Sequence, residues 1–118
     1  TEHSPIPLSH ISTLINLDLL GTGDDGLMVV NGSIYPELFT RIEKQSESFV
    51  HIKSKLKQRG KAANSDHYWF SEKGVKSIFL YTMGGISAYH DPYDKPETLP
   101  FTAYFEIFNL LRNVIEDL

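Results

Sequence analysis

The sequence contains no cysteine. That excludes disulfides, thiolate catalysis and cysteine-ligated zinc. It leaves the redox compartment open, because a chain without cysteine folds in any of them. There is no apolar run near the roughly 20 residues that a membrane span requires. Positive charge is not in excess: 11 Lys and Arg stand against 15 Asp and Glu, a net charge of −4. A general nucleic-acid binder carries the opposite balance. Internal repeats and low-complexity tracts are missing as well. The opening Thr1-Glu-His-Ser-Pro5 has neither the basic head nor the apolar core of a secretory signal. It also lacks an initiating Met, so the chain is expected to be a processed or truncated piece. What remains is ordinary globular composition, 41% hydrophobic and 22% charged in 118 residues. That is enough for at most one domain with a modest core.

The pattern along the chain alternates between strand and helix periods. Ile15, Leu17 and Leu19 alternate with Asn16, Asp18 and Leu20, which predicts a strand before the turn-forming Gly21 to Gly26. Leu27 to Val30 predicts a second short strand before Asn31-Gly32. Pro36 suits a first helical turn, and Leu38, Ile42 and Gln45 carry the spacing on toward Ser48. From Phe49 to Gly60 two readings compete: Phe49, Val50 and Ile52 favour a strand, and Lys53 to Arg59 is polar and basic. Seven of the eleven basic residues fall between Arg41 and Lys61. A solvated face accounts for them better than a binding patch. Ser65 to Gly74 predicts a short helix with Ser65 as N-cap and Gly74 as its stop. Ser77 to Thr82 is a near-continuous apolar run, short enough to be a buried strand. The last segment places Tyr104, Ile107, Phe108, Leu111, Val114, Ile115 and Leu118 on one helical stripe, with Thr102 as candidate N-cap. The order is that of a layered α/β fold, with an antiparallel pair at the start as one option. Only three or four strands are visible, a small sheet that implies further structure to cover it.

Three polar sites are not explained by packing. Asp18 lies near the carboxyl end of a predicted strand, where ligands bind in α/β sheets. Buried there, it needs a cation, donors or a route to solvent; otherwise it caps the glycine-rich turn. Asp66-His67 stands at a predicted helix start, where an acidic residue favours the dipole and an exposed His needs no role. His90 follows the buried strand and Gly84-Gly85, with Asp91 and Asp94 close behind. That is a reasonable nitrogen-and-oxygen metal set and equally a reasonable turn.

At these residues the chain resembles a known family. Ile15-Asn-Leu-Asp-Leu-Leu-Gly21, Asn64-Ser-Asp-His67 with Phe70, Gly74-Val75, and Tyr89-His90 with Asp94 occur in order and at fitting distances. Together they resemble the C-terminal half of the zinc-dependent aminopeptidases. These are co-catalytic zinc exopeptidases related to the glutaminyl cyclases and the transferrin-receptor ectodomain. The resemblance runs from about Leu14 to Leu118. Arg59 to His67 and Tyr81 to Gly85 are similar to a bacterial branch in particular.

The resemblance implies an α/β fold with a partial mixed sheet packed by helices, the C-terminal portion of a zinc-exopeptidase fold. Residues 1–118 would be one unit, a fragment of a larger catalytic domain. It implies two zinc ions at the carboxyl edge of the sheet, Asp18 a ligand of one and His90 of the other. Asp66, His67 and Phe70 would lie on the substrate side, and Asp94 would support the loop of His90. Lys76 departs from the Pro that commonly follows Gly-Val. More importantly, the His-x-Asp and Glu-Glu motifs that supply the remaining ligands and the general base have no counterpart in Thr1 to Leu14. The parent is expected to hydrolyse peptide N-termini, and to be periplasmic or secreted. The isolated chain is expected to be inactive, to bind zinc weakly, and to self-associate over exposed apolar surface. Alternatives are a glutaminyl cyclase-like acyltransferase and a non-catalytic binding module of the same fold. The latter has no need to keep both Asp18 and His90.

Overall fold

The computed structural model describes residues 3–22, 24–50, 52, 54–84, 101 and 103–118. Among them a 3-10 turn at Leu8–His10 is followed by β1 (Leu14–Leu17), β2 (Gly26–Val30), α1 (Pro36–Ser46), β3 (Leu56–Arg59), α2 (His67–Glu72), β4 (Ser77–Met83) and α3 (Tyr104–Asp117). The sheet runs in the order β1-β4-β2-β3. β1 is parallel to β4, with Leu14 opposite Ser77. β2 is antiparallel to β4, with Val30 opposite Phe79, and β3 is parallel to β2. This is the partial mixed sheet that the resemblance implies. The antiparallel pair, however, is β2 with β4 and not β1 with β2. The seven-residue run of β4 is apolar on both faces and buried from Ser77 to Leu80, so it takes a central place between the two.

The two faces of the sheet are covered unequally. Ile15, Leu27, Val29, Ile78 and Leu80 point into the main core with Leu38 and Ile42 of α1 and Ile107, Leu110, Leu111 and Val114 of α3. Each such side chain contributes about 1.5–3 kcal/mol when fully buried. The opposite face carries Phe79 and Tyr81, whose rings lie 5.3 Å apart, and is packed by the short α2. A Schellman motif ends α2. Gly74, at φ +86°, donates to Ser71 O at 3.1 Å and Val75 donates to Phe70 O at 3.0 Å. Gly26 starts β2 at φ +105°, and a side chain there would collide with the Lys55 backbone.

Three details differ from the sequence pattern. The strand between Phe49 and Gly60 is Leu56–Arg59 in the basic run, whereas Val50 is exposed. Lys57 and Arg59 are exposed on this edge strand, where charge discourages pairing with a second chain. On α3 the buried face is Ile107, Leu110, Leu111 and Val114. Tyr104, Phe108, Ile115 and Leu118 of the predicted stripe are exposed, as is Phe105. The broad apolar stripe is wider than the sheet and α1 can cover. Arg41 of α1 donates to the Asp117 carbonyl at 2.6 Å and carboxylate at 3.0 Å, an exposed tie between α1 and α3 worth at most about 1 kcal/mol.

Candidate functional site

Because β1 and β4 are parallel, their carboxyl ends open onto the same edge of the sheet. That edge is where open α/β sheets place their ligands. Asp18 is the first residue beyond β1, and its N–H donates to Leu80 O at 3.4 Å. Its carboxylate is exposed, not buried, so the desolvation cost that would demand a partner does not apply. Asn16 precedes it on the same side of the strand. Asn16 Nδ2 donates to Ser65 Oγ at 2.7 Å, and Ser65 Oγ approaches Asp18 Oδ2 at 3.5 Å. Ser65 therefore ties the entrance of α2 to the end of β1. It does not cap the helix: the N-cap is Asp66, which makes no capping hydrogen bond with its side chain.

The strand stops at Leu17 because Leu19 takes the left-handed conformation, φ +58°. The alternation expected from the sequence ends there, and Leu20, not Leu19, packs onto the main core. Thr82 of β4 closes this turn. Its N–H and its hydroxyl both donate to Leu19 O, at 3.2 and 2.8 Å.

α2 brings the second set of candidates to the same side of the sheet. Asp66 is exposed and Phe70 half-buried. His67 is completely buried, and among the described residues neither ring nitrogen makes a hydrogen bond of good geometry. Its ring stacks on Phe79, centroids 5.4 Å apart. Burial pushes the imidazole below its ordinary pKa, against the opposing pull of the Ala62 backbone and the Asp66 carboxylate. His67 is thus a neutral packing residue beneath α2, not the exposed helix-start His that its sequence position suggested. Next to it, Trp69 is exposed at the surface of α2. Lys61 pairs with Glu72 of α2, whose hydrogen bond and charge raise the lysine above its ordinary pKa.

His90 and Asp94 lie outside the described residues, so their relation to Asp18 is not part of this geometry. Among the described residues no group of three or more His, Asp or Glu side chains could hold a metal ion. Asp18 could serve zinc as one ligand: it is an accessible carboxylate at the carboxyl edge of the sheet, and among the described residues its side chain is met by one long hydrogen bond, from Ser65. Sequence reading missed Asn16 and Thr82 as partners of this end of β1. Both read as ordinary strand residues, and only register brings them into play. It also missed Asn31, which is buried at φ +68° and donates to Ser77 O at 2.9 Å.

The model of peptidase family M28 matches residues 1–115. Among solved structures, BSAP, a zinc aminopeptidase from Bacillus subtilis, superposes with a TM-score of 0.77 at 21% identity, over 98% of this chain and 30% of that one. An aminopeptidase from Aneurinibacillus sp. strain AM-1 superposes with a TM-score of 0.72 at 16% identity, over 97% and 27%. At these identities the likeness is one of fold. The chain spans less than a third of the length of either structure. No curated protein matches.

Proposed function

We propose, from the premise that the chain belongs to peptidase family M28, that it is the carboxyl-terminal part of a zinc-dependent aminopeptidase acting on peptide N-termini. The observation that carries this reading is the place of Asp18. The aspartate of the Asn16-Leu-Asp18 motif stands exposed at the shared carboxyl edge of β1 and β4, beside Ser65 of the Ser-Asp-His segment. Two sequence motifs 47 positions apart thus meet at one edge. Asp18 would hold one zinc ion through its carboxylate, and His90 would belong to the other. A zinc ion supplies an acidified water and polarises a carbonyl when bound. Ser65, itself bonded by Asn16, would orient the Asp18 side chain, and Asp66 and Phe70 would lie on the substrate side.

The described residues provide a single ligand, and a zinc site needs three or four. We therefore expect this chain alone to bind zinc weakly and to release no p-nitroaniline from an aminoacyl p-nitroanilide. A longer protein carrying this sequence is expected to release it, and Asp18→Asn in that protein to lower kcat/KM by at least about 100-fold. Turnover of N-terminal glutaminyl peptides to the cyclised product, without hydrolysis of aminoacyl substrates, would assign the cyclase reading instead. Inactivity toward both would leave a binding module.

A further inference from the structure

We propose that Thr82 and Leu19 form a backbone latch that sets the direction of the Asp18 carboxylate, with Thr82 a positioning residue for the site. The inference rests on the reading of Asp18 as a metal ligand and adds what holds it there. Leu19 is a non-glycine residue at φ +58°, a conformation disfavoured by its Cβ. Its side chain is 45% exposed, so packing compensates little of that strain. Strained backbone persists where surrounding structure over-determines it, and here the over-determining group is Thr82.

The hydroxyl of Thr82 is used completely. It donates to Leu19 O at 2.8 Å, accepts the Thr22 N–H at 3.2 Å, and meets the Thr22 hydroxyl at 2.8 Å. A threonine hydroxyl offers one donor and two acceptor positions, and all three are filled. Thr82 is only 6% exposed, so water competes poorly for these bonds. The backbone N–H of Thr82 adds a second donor to the same Leu19 carbonyl, at 3.2 Å.

Asp18 therefore stands between two pinned peptides. Its own N–H is bound to Leu80 O, and the carbonyl of the next residue is bound twice by Thr82. The β1–β4 register, continued past Leu17, brings Thr82 opposite Leu19. An extended Leu19 would prolong the ladder there. The left-handed turn ends it, returns Leu20 to the core, and leaves the Asp18 side chain at the carboxyl edge beside Ser65. With its donor and both acceptor positions filled inside the turn, the Thr82 hydroxyl has none left for a metal or a substrate. Its role is to convert a strand into a fixed ligand mount.

The test is an amide NMR titration of the 118-residue chain with Zn2+ alone, which detects weak binding. In the unsubstituted chain Zn2+ is expected to shift the Asp18 and Leu19 amides. Thr82→Val keeps the side-chain shape and removes the hydroxyl. It is expected to weaken the zinc response at Asp18 about tenfold and to move the Leu19 HN–Hα coupling toward its extended value. Thr82→Ser restores both. Should Thr82→Val not fold, the exposed Leu19 supplies a second pair. Leu19→Val is disfavoured in the left-handed region and is expected to weaken zinc, whereas Leu19→Asn tolerates that region and is expected to retain it. A normal zinc response at Asp18 that none of these substitutions alters overturns the latch alone. Absence of any response at Asp18 in the unsubstituted chain overturns the metal reading, and the latch's role with it.

Discussion

His67 lies nearly flat on Phe79, with ring centroids 5.4 Å apart and 26° between the planes. The stack fixes α2 over the centre of the sheet and hides both imidazole nitrogens from water, and among the described residues neither makes a hydrogen bond of good geometry. A neutral imidazole bears this cost, since its polar atoms are two. A protonated one bears a charge as well.

This makes stability depend on pH with a definite sign. The folded pKa of His67 lies below the unfolded value of 6.5, so the unfolded chain takes up the proton first. Stability is full above about 6.5 and falls as pH drops from there toward the lowered folded value. Substituting His67→Phe keeps an aromatic ring on Phe79 and removes the titration. Thermal melts from pH 7.5 to 5 are expected to show a smaller loss of Tm for this variant than for the parent chain. An equal loss in both would place the acid sensitivity elsewhere.

Asn31 joins three elements at one buried point. Its side chain donates to Ser77 O at 2.9 Å and to Ser71 Oγ at 3.5 Å, and its backbone carbonyl accepts from Ile34 and Tyr35 at the approach to α1. Asn is among the few side chains that tolerate φ +68°. Asn31→Ala removes the buried bonds and keeps the unfavourable backbone. A loss of about 2 to 4 kcal/mol is expected in urea unfolding; a change below about 0.5 kcal/mol would show the contacts to be incidental.

Leu110 is fully buried between α3 and the sheet, whereas Phe108, two residues earlier, is 60% exposed. Leu110→Ala is expected to cost about 2–5 kcal/mol through lost burial and a cavity. Phe108→Ala is expected to stay within about 1 kcal/mol. Comparable losses at the two positions would mean that the stripe predicted from sequence, not the observed face, is the one that packs.

The outer surface of α3 exposes Tyr104, Phe105, Phe108, Ile115 and Leu118. Apolar clusters of this kind mark surfaces that are covered in use. Sedimentation velocity is expected to show concentration-dependent self-association of this chain, reduced by the double substitution Phe105→Ser and Phe108→Ser. A single monomeric species at high concentration would show that the surface remains wet.

Local sequence determined the elements. Alternation, apolar runs, Pro36 and Gly74 marked β2, α1, α2, β4 and α3 within a few residues, because strand and helix periods and turn preferences are properties of neighbouring side chains. The ordered motifs around Asp18 and Ser65-Asp-His67 carried the family resemblance for the same reason. Tertiary structure decided what those residues face. The position of β4 between β1 and β2 follows from which strand is apolar on both sides, a comparison across the whole sheet. His67 reads as polar and exposed until Phe79 is beneath it. Asp18 reads as a buried strand residue until Leu19 turns left-handed, and that turn depends on Thr82, 63 positions away. No local period encodes a hydrogen bond of that span; the register of β1 on β4 makes it.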